Sequence, residues 1–121
     1  MPVKRADRVA QLIQEEISRL ILRSVKDPRI GFVTVTHVSV SDDLRHAKVY
    51  LSLAQADDEA QRRDALVGMR SAAGFLRGEL TRRLRLRYAP ALAFYLDDSL
   101  ERELKLAELL RQIDTEKTTE L

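Results

Sequence analysis

The spacing of apolar residues changes period along this 121-residue chain, and the order of the changes narrows the folds open to it. From Asp7 to Val25, the residues Val9, Leu12, Ile13, Ile17, Leu20 and Ile21 recur at helical intervals with one apolar face. Asp27-Pro28 ends this helix, because proline disfavours helical geometry in the residue before it. The period then drops to two. Val33-Thr34-Val35-Thr36 alternates, and Val38-Ser39-Val40-Ser41 alternates in the opposite phase, so a β-bulge or strong twist is expected at His37. Asp42-Asp43 signals a turn, and the clean alternation from His46 to Leu53 completes a hairpin.

After an acidic loop over 54–59, Asp57 or Asp58 is placed to cap a helix reaching Ser71, with Ala65, Leu66 and Met69 on its buried side. Ala72-Ala73-Gly74 reads as a break, and a second helix is expected from Phe75 to Leu84 or Leu86. Pro90 precedes a short strand at Leu92-Ala93-Phe94-Tyr95-Leu96. Asp98-Ser99-Leu100-Glu101 resembles a capping box opening a last helix, with Leu100, Leu104, Ala107, Leu110 and Ile113 on one stripe. The order is α-β-β-α-α-β plus a C-terminal helix. Helices on one face of a small sheet make a two-layer α+β domain. Two helices meeting at a small-residue turn make it KH type II-like. One domain is expected over 1–115, with 116–121 a frayed tail.

A chain this long supports one modest core and not two. The lack of cysteine excludes disulfides, thiol catalysis and zinc–thiolate sites. No apolar run approaches the roughly 20 residues that span a bilayer. The first residues have no apolar segment of signal-peptide type, so a cytoplasmic location is expected and a membrane partner is not.

The net charge of +2 conceals segregation. Residues 70–88 carry six arginines against the single acid Glu79, whereas 89–121 carry four basic residues against eight acids. Concentrated guanidinium charge suits phosphate groups. With about 100° per residue, Arg77, Arg82 and Arg85 share one helix face with Gly78 and Thr81. Arg83 and Arg87 fall in the apolar arc, so the helix is expected to end near Leu84 and re-aim them. The competing reading is a plain solvated face, which would carry acids at i±4, and only Glu79 offers one. Gly74, with Ala72 and Ala73, either presents backbone amides to an anion or is merely a helix cap. Arg70 precedes this turn. Lys4, Arg5 and Arg8 form a basic arm that fits a phosphate backbone, or an ordinary exposed terminus.

His37 and His46 have no partner at metal-ligand spacing. The acid pairs Asp42-Asp43, Asp57-Asp58 and Asp97-Asp98 all sit where turns and helix starts favour acids. No phosphate-binding loop or nucleophile elbow is present, so no enzyme, metal or cofactor is expected. The three Phe and three Tyr stand mostly at core-like positions, which favours recognition of phosphate and shape over bases.

The chain resembles the ribosome-binding factor A family. The resemblance rests on Ile13-Gln14-Glu15-Glu16-Ile17, Asp27-Pro28-Arg29, Gly31-Phe32-Val33-Thr34-Val35-Thr36 and Asp43-Leu44 with Ala47-Lys48-Val49-Tyr50. It continues through Leu76-Arg77-Gly78-Glu79-Leu80, Arg83–Arg87, Pro90–Phe94 and Asp97-Asp98-Ser99, covering about residues 5–115. It implies a KH type II fold in which an Ala-x-Gly kink, here Ala72-Ala73-Gly74, replaces GxxG. It also implies binding to the 30S ribosomal subunit during late maturation of 16S rRNA, near the decoding-region helix and the rRNA 3′ end. A link to growth in the cold is implied too, with release by an assembly GTPase or through an initiation factor. The short acidic tail departs from relatives that extend further. A monomer is expected. A helix-turn-helix DNA-binding protein and a protein-interaction scaffold are the alternatives, the first resting on two helices around Ala73-Gly74.

Overall fold

The computed structural model describes residues 4–30, 33–53 and 58–119. Its elements are α1 (Arg5–Arg23), β1 (Thr34–Val40), β2 (His46–Ser52), α2 (Glu59–Arg83), β3 (Ala91–Leu96) and α3 (Ser99–Thr119). The sheet order is β1-β2-β3, with β1 antiparallel and β3 parallel to the central strand. A parallel pair needs a crossover, and α2 supplies it. The register of β1 on β2 slips between Val35 and His37, where the change of phase predicts a bulge.

The core follows from the two periodicities. Ile13, Ile17 and Leu20 of α1 and Met69, Leu76 and Leu80 of α2 meet Val49 and Leu51 of β2 and Phe94 of β3, all buried. Gly68 lets α2 come close to the segment after α1: a β-carbon there would lie 3.0 Å from Ile30 Cγ1. Asp58 caps α2 by accepting from the Gln61 amide at 2.8 Å, while Asp57 lies outside the described residues.

One expected break is missing. α2 runs unbroken through Ser71-Ala72-Ala73-Gly74, so a single helix stands where two were expected and the order is α-β-β-α-β-α. A glycine inside a helix costs only about 1 kcal/mol relative to alanine. Against that, Ala65, Gly68, Met69, Leu76 and Leu80 form one buried stripe on both sides of Gly74. Ala72 and Ala73 pack at its margin. Tertiary burial therefore carries the helix across the weak point. With no turn between two helices, the helix-turn-helix alternative loses its basis.

One further expectation changes at the C-terminal end, and one apolar face there is left uncovered. The residues from 116 to Thr119, expected to fray, are helical. The expected apolar stripe of α3 is not buried: Leu104, Ala107, Leu110 and Ile113 are all exposed, and the Leu100 side chain lies outside the described residues. At the start of α3 the Ser99 amide donates to Asp97 Oδ1 at 3.0 Å. Asp97 Oδ2 accepts from the Thr36 hydroxyl at 2.7 Å, tying the exit of β3 to β1.

The Ser99 side chain, then the Thr36 hydroxyl and the Ser99 amide, hold the Asp97 carboxyl at about 2, below its ordinary 3.8. A depressed folded-state value stabilises above the ordinary value, and that contribution fades as pH falls from 3.8 through about 2. Asp97→Asn should therefore be less stable than the parent near neutral pH in urea titrations, with the gap closing on acidification. A gap independent of pH would refute this linkage. Substitution at two glycines should diverge as well. Gly68→Leu should cost roughly 1–3 kcal/mol by overpacking. Gly74→Ala, with nothing within 4 Å of the added carbon, should gain up to about 1 kcal/mol.

Candidate nucleic-acid interface

The arginines separate by what they touch. Arg83 donates through Nε to Glu79 Oε2 at 2.9 Å and through Nη1 to Glu16 Oε1 at 3.3 Å. Glu16 is only 7% exposed and also accepts from Arg19 Nη1 at 2.9 Å. A buried carboxylate is costly unless paired, so Arg83 belongs to the fold. This is where its place in the apolar arc leads it. Arg82 pairs with the other Glu79 oxygen, and Arg83 first, then Arg82, holds that carboxyl below the usual range. Arg77 donates to the Ala89 carbonyl at 3.2 Å, pinning the loop that leaves α2. Three of the expected phosphate ligands are thus already engaged.

Among the other exposed cations, Lys4, Arg5, Arg8, Arg45, Arg70, Arg85 and Arg87, like Arg23, Lys26, Lys48, Arg63 and Lys105, form no salt bridge among the described residues. Three of them converge. Arg5 from the first turn of α1, Arg45 from the β1–β2 turn and Arg87 from the loop after α2 line one recess of about 220 Å³. Val9, Leu44, Leu86, Tyr88 and Pro90 form the rest of its wall, together with Asp43. The two loops that frame it are sharply turned. Leu44 (φ 61°) and Arg85 (φ 53°) both adopt left-handed backbone, which side chains with a β-carbon seldom accept.

Asp43 is the single acid of the lining, and Arg45 lies near enough for its charge to act on that carboxylate. Asp43 Oδ1 accepts from the Ser41 hydroxyl at 2.6 Å and from the Arg45 amide at 3.0 Å. These bonds, the Ser41 hydroxyl first, lower its pKa. Lys4 is the N-cap residue of α1, and its side chain caps nothing. The helix dipole adds to the positive character at Arg5, with Asp7 in the same turn opposing it.

The other expected site residues spread out. Ala72 and Ala73 are partly buried against the core, whereas Gly74 and Gly78 face open space, so close backbone approach to α2 is available only at the glycines. Lys4, Arg8 and Arg70 do not line the recess.

Sequence reasoning passed over Arg45 and Tyr88. Arg45 follows the Asp42-Asp43 turn and stands outside the arginine ladder. Tyr88 closes that ladder yet is 77% exposed, with the Arg87 guanidinium 5.8 Å over its ring. The expectation that aromatics sit mostly in the core fails more widely. Phe94 is buried, but Phe75 and Tyr95 are exposed. His37, Tyr50 and Tyr95 form a row across the outer sheet face, with centroids 5.9 and 5.6 Å apart. The alternation carried the signal, since Tyr50 lies between inward-facing Val49 and Leu51.

Fold and site together define a class: a small KH-like α+β domain that concentrates unpaired arginines at one end. The family model for ribosome-binding factor A matches residues 5–110. Ribosome-binding factor A of Geobacter metallireducens is 45% identical over 113 residues, covering 93% of this chain and 94% of its own. That of Desulfitobacterium hafniense is 47% identical over 116 residues, covering 96% and 91%. The crystal structure of the Thermus thermophilus protein superposes with a TM-score of 0.66 at 25% identity, over 75% of this chain and 93% of that one. A Thermus thermophilus homology model fitted into a cryo-EM map of its 30S complex gives 0.63 at 30% identity, over 78% and 97%. The chain belongs to the ribosome-binding factor A family.

The two arginines on Glu79 should behave differently. Arg83→Ala leaves the buried Glu16 with Arg19 alone and should lower the melting temperature measurably. Arg82→Ala, at the surface, should cost less than about 0.5 kcal/mol. Equal losses in thermal melts would place Arg83 outside the structural role.

Proposed function

We propose that this chain is a non-enzymatic assembly factor that binds the 30S ribosomal subunit through 16S rRNA during late maturation and rRNA processing. The observation that carries the reading is the convergence of Arg5, Arg45 and Arg87 from three separate segments, with Asp43 the one acid among them. Guanidinium groups hold phosphates in fork geometry, and a protein that leaves several of them unsatisfied in one place has prepared for a polyanion. The 30S complex of the Thermus thermophilus relative supports the same partner.

Binding proceeds by phosphate contact first. The basic end orients the domain on the subunit, with Lys4, Arg8 and Arg85 next to the recess residues in sequence. Arg70, Arg77 and Arg82 extend the positive surface along α2, and Arg82 keeps most of its side chain in solvent despite its bond to Glu79. The bare backbone at Gly74 and Gly78 admits a sugar–phosphate strand at close range. The acidic residues of α3 lie outside the recess. The domain spans 1–115, works as a monomer in the cytoplasm, and is released by a separate protein, an assembly GTPase or an initiation factor.

Reversing Arg5, Arg45 and Arg87 to Glu should abolish co-sedimentation with 30S particles while the melting temperature stays near that of the parent, because all three side chains are exposed. Parental binding should weaken steeply with salt, by a slope of roughly 0.7–0.9 per phosphate contacted. A triple variant that sediments with the subunit like the parent, or parental binding indifferent to salt, refutes the proposal.

A further inference from the structure

We infer that the recess between α1, the β1–β2 turn and the 84–90 loop is a pocket for one unpaired nucleotide of a single-stranded RNA. Its phosphate lies among Arg5, Arg45 and Arg87, and its base stacks on Tyr88. The inference rests on the rRNA-binding reading above and adds the strand state and the part of the molecule that is held.

Four observations meet there. The first is scale: about 220 Å³ of concave space admits a single planar base and its phosphate, and a duplex cannot enter it. The second is chemistry. The wall combines apolar surface from Val9, Leu86 and Pro90 with three guanidinium groups. Apolar wall suits the face of a base, and the guanidinium groups suit the charge beside it. The third is the start of α1, a 19-residue helix whose N-cap side chain makes no capping bond and whose first turn contributes Arg5. Such a helix end favours an anion beside it.

The fourth observation is Tyr88. A large aromatic ring that is 77% exposed contributes little to the core, so its place is not explained by packing. The Arg87 guanidinium lies 5.8 Å over the ring, and most of the ring's surface stays open. A base on that surface would complete an Arg–Tyr–base stack, an arrangement that single-stranded RNA permits and a paired helix forbids. Asp43 keeps its negative charge, and the three arginines of the lining outnumber it. The left-handed residues Leu44 and Arg85 sit in the two loops that bring Arg45 and Arg87 to the same space.

The test uses the full chain, a labelled mixed-sequence RNA oligonucleotide as single strand and as duplex, and purified 30S particles. Fluorescence anisotropy should show the parent binding the single strand more tightly than the duplex. Tyr88→Leu should weaken single-strand binding roughly tenfold, the size expected for one base–aromatic stack, and leave duplex binding unchanged. Tyr88→Phe should restore it. Arg45→Gln should lower the salt slope by about one phosphate contact. Melting temperatures of all variants should match the parent, since these side chains are exposed. The pocket is overturned if Tyr88→Leu binds the single strand like the parent, or if the parent does not distinguish single strand from duplex. If 30S binding persists in either case, only the pocket fails. If the parent binds neither RNA nor 30S particles, the rRNA-binding reading falls with it.

Discussion

A buried carboxylate organises this domain. Glu16 sits almost fully enclosed on α1 and is held by Arg19 of its own helix and Arg83 from the last turn of α2. Removing a charge from water costs several kcal/mol unless a partner restores it, so the two helices are bound to one relative register. From that anchor the rest of the basic end follows. The chain turns at Arg85, Arg77 takes hold of the Ala89 carbonyl, and Pro90 leads into β3. The recess exists because this loop is pinned beside the start of α1.

The same residue type therefore serves two ends. Arg77, Arg82 and Arg83 make hydrogen bonds inside the molecule, while Arg5, Arg45 and Arg87 line the recess without a salt bridge among the described residues. Helical angles cannot separate these groups. Arg83 finds its partner 67 positions away in Glu16. Arg82 and Arg85 share a helix face on paper, yet α2 ends at Arg83 and the chain has turned left-handed by Arg85.

Much of the fold was legible in the sequence because strands and amphipathic helices write their burial into local spacing. The alternation over β1 and β2, the slip just before His37 and the Asp58 cap all depend on near neighbours, whereas α1 ends at Arg23, ahead of the Asp27-Pro28 stop. Ala72-Ala73-Gly74 favours a break locally, and the buried stripe from Ala65 to Leu80, which spans it, keeps α2 continuous. The stripe on α3 is periodic yet exposed, since periodicity reports which face is apolar and not whether anything covers it. The recess was out of reach for a different reason. Its three arginines lie about forty residues apart in sequence, and only the sheet and the pinned loop bring them together.

The most direct measurement is photocrosslinking from residue 45 in complexes with 30S particles, using a photoreactive side chain in place of Arg45. Residue 45 lies outside the arginine ladder and reaches the recess only through the fold, so the sequence pattern alone would not select it. The account predicts a covalent adduct with 16S rRNA from position 45, and none from position 110 on the exposed face of α3. An adduct from position 110 with none from position 45 would contradict it.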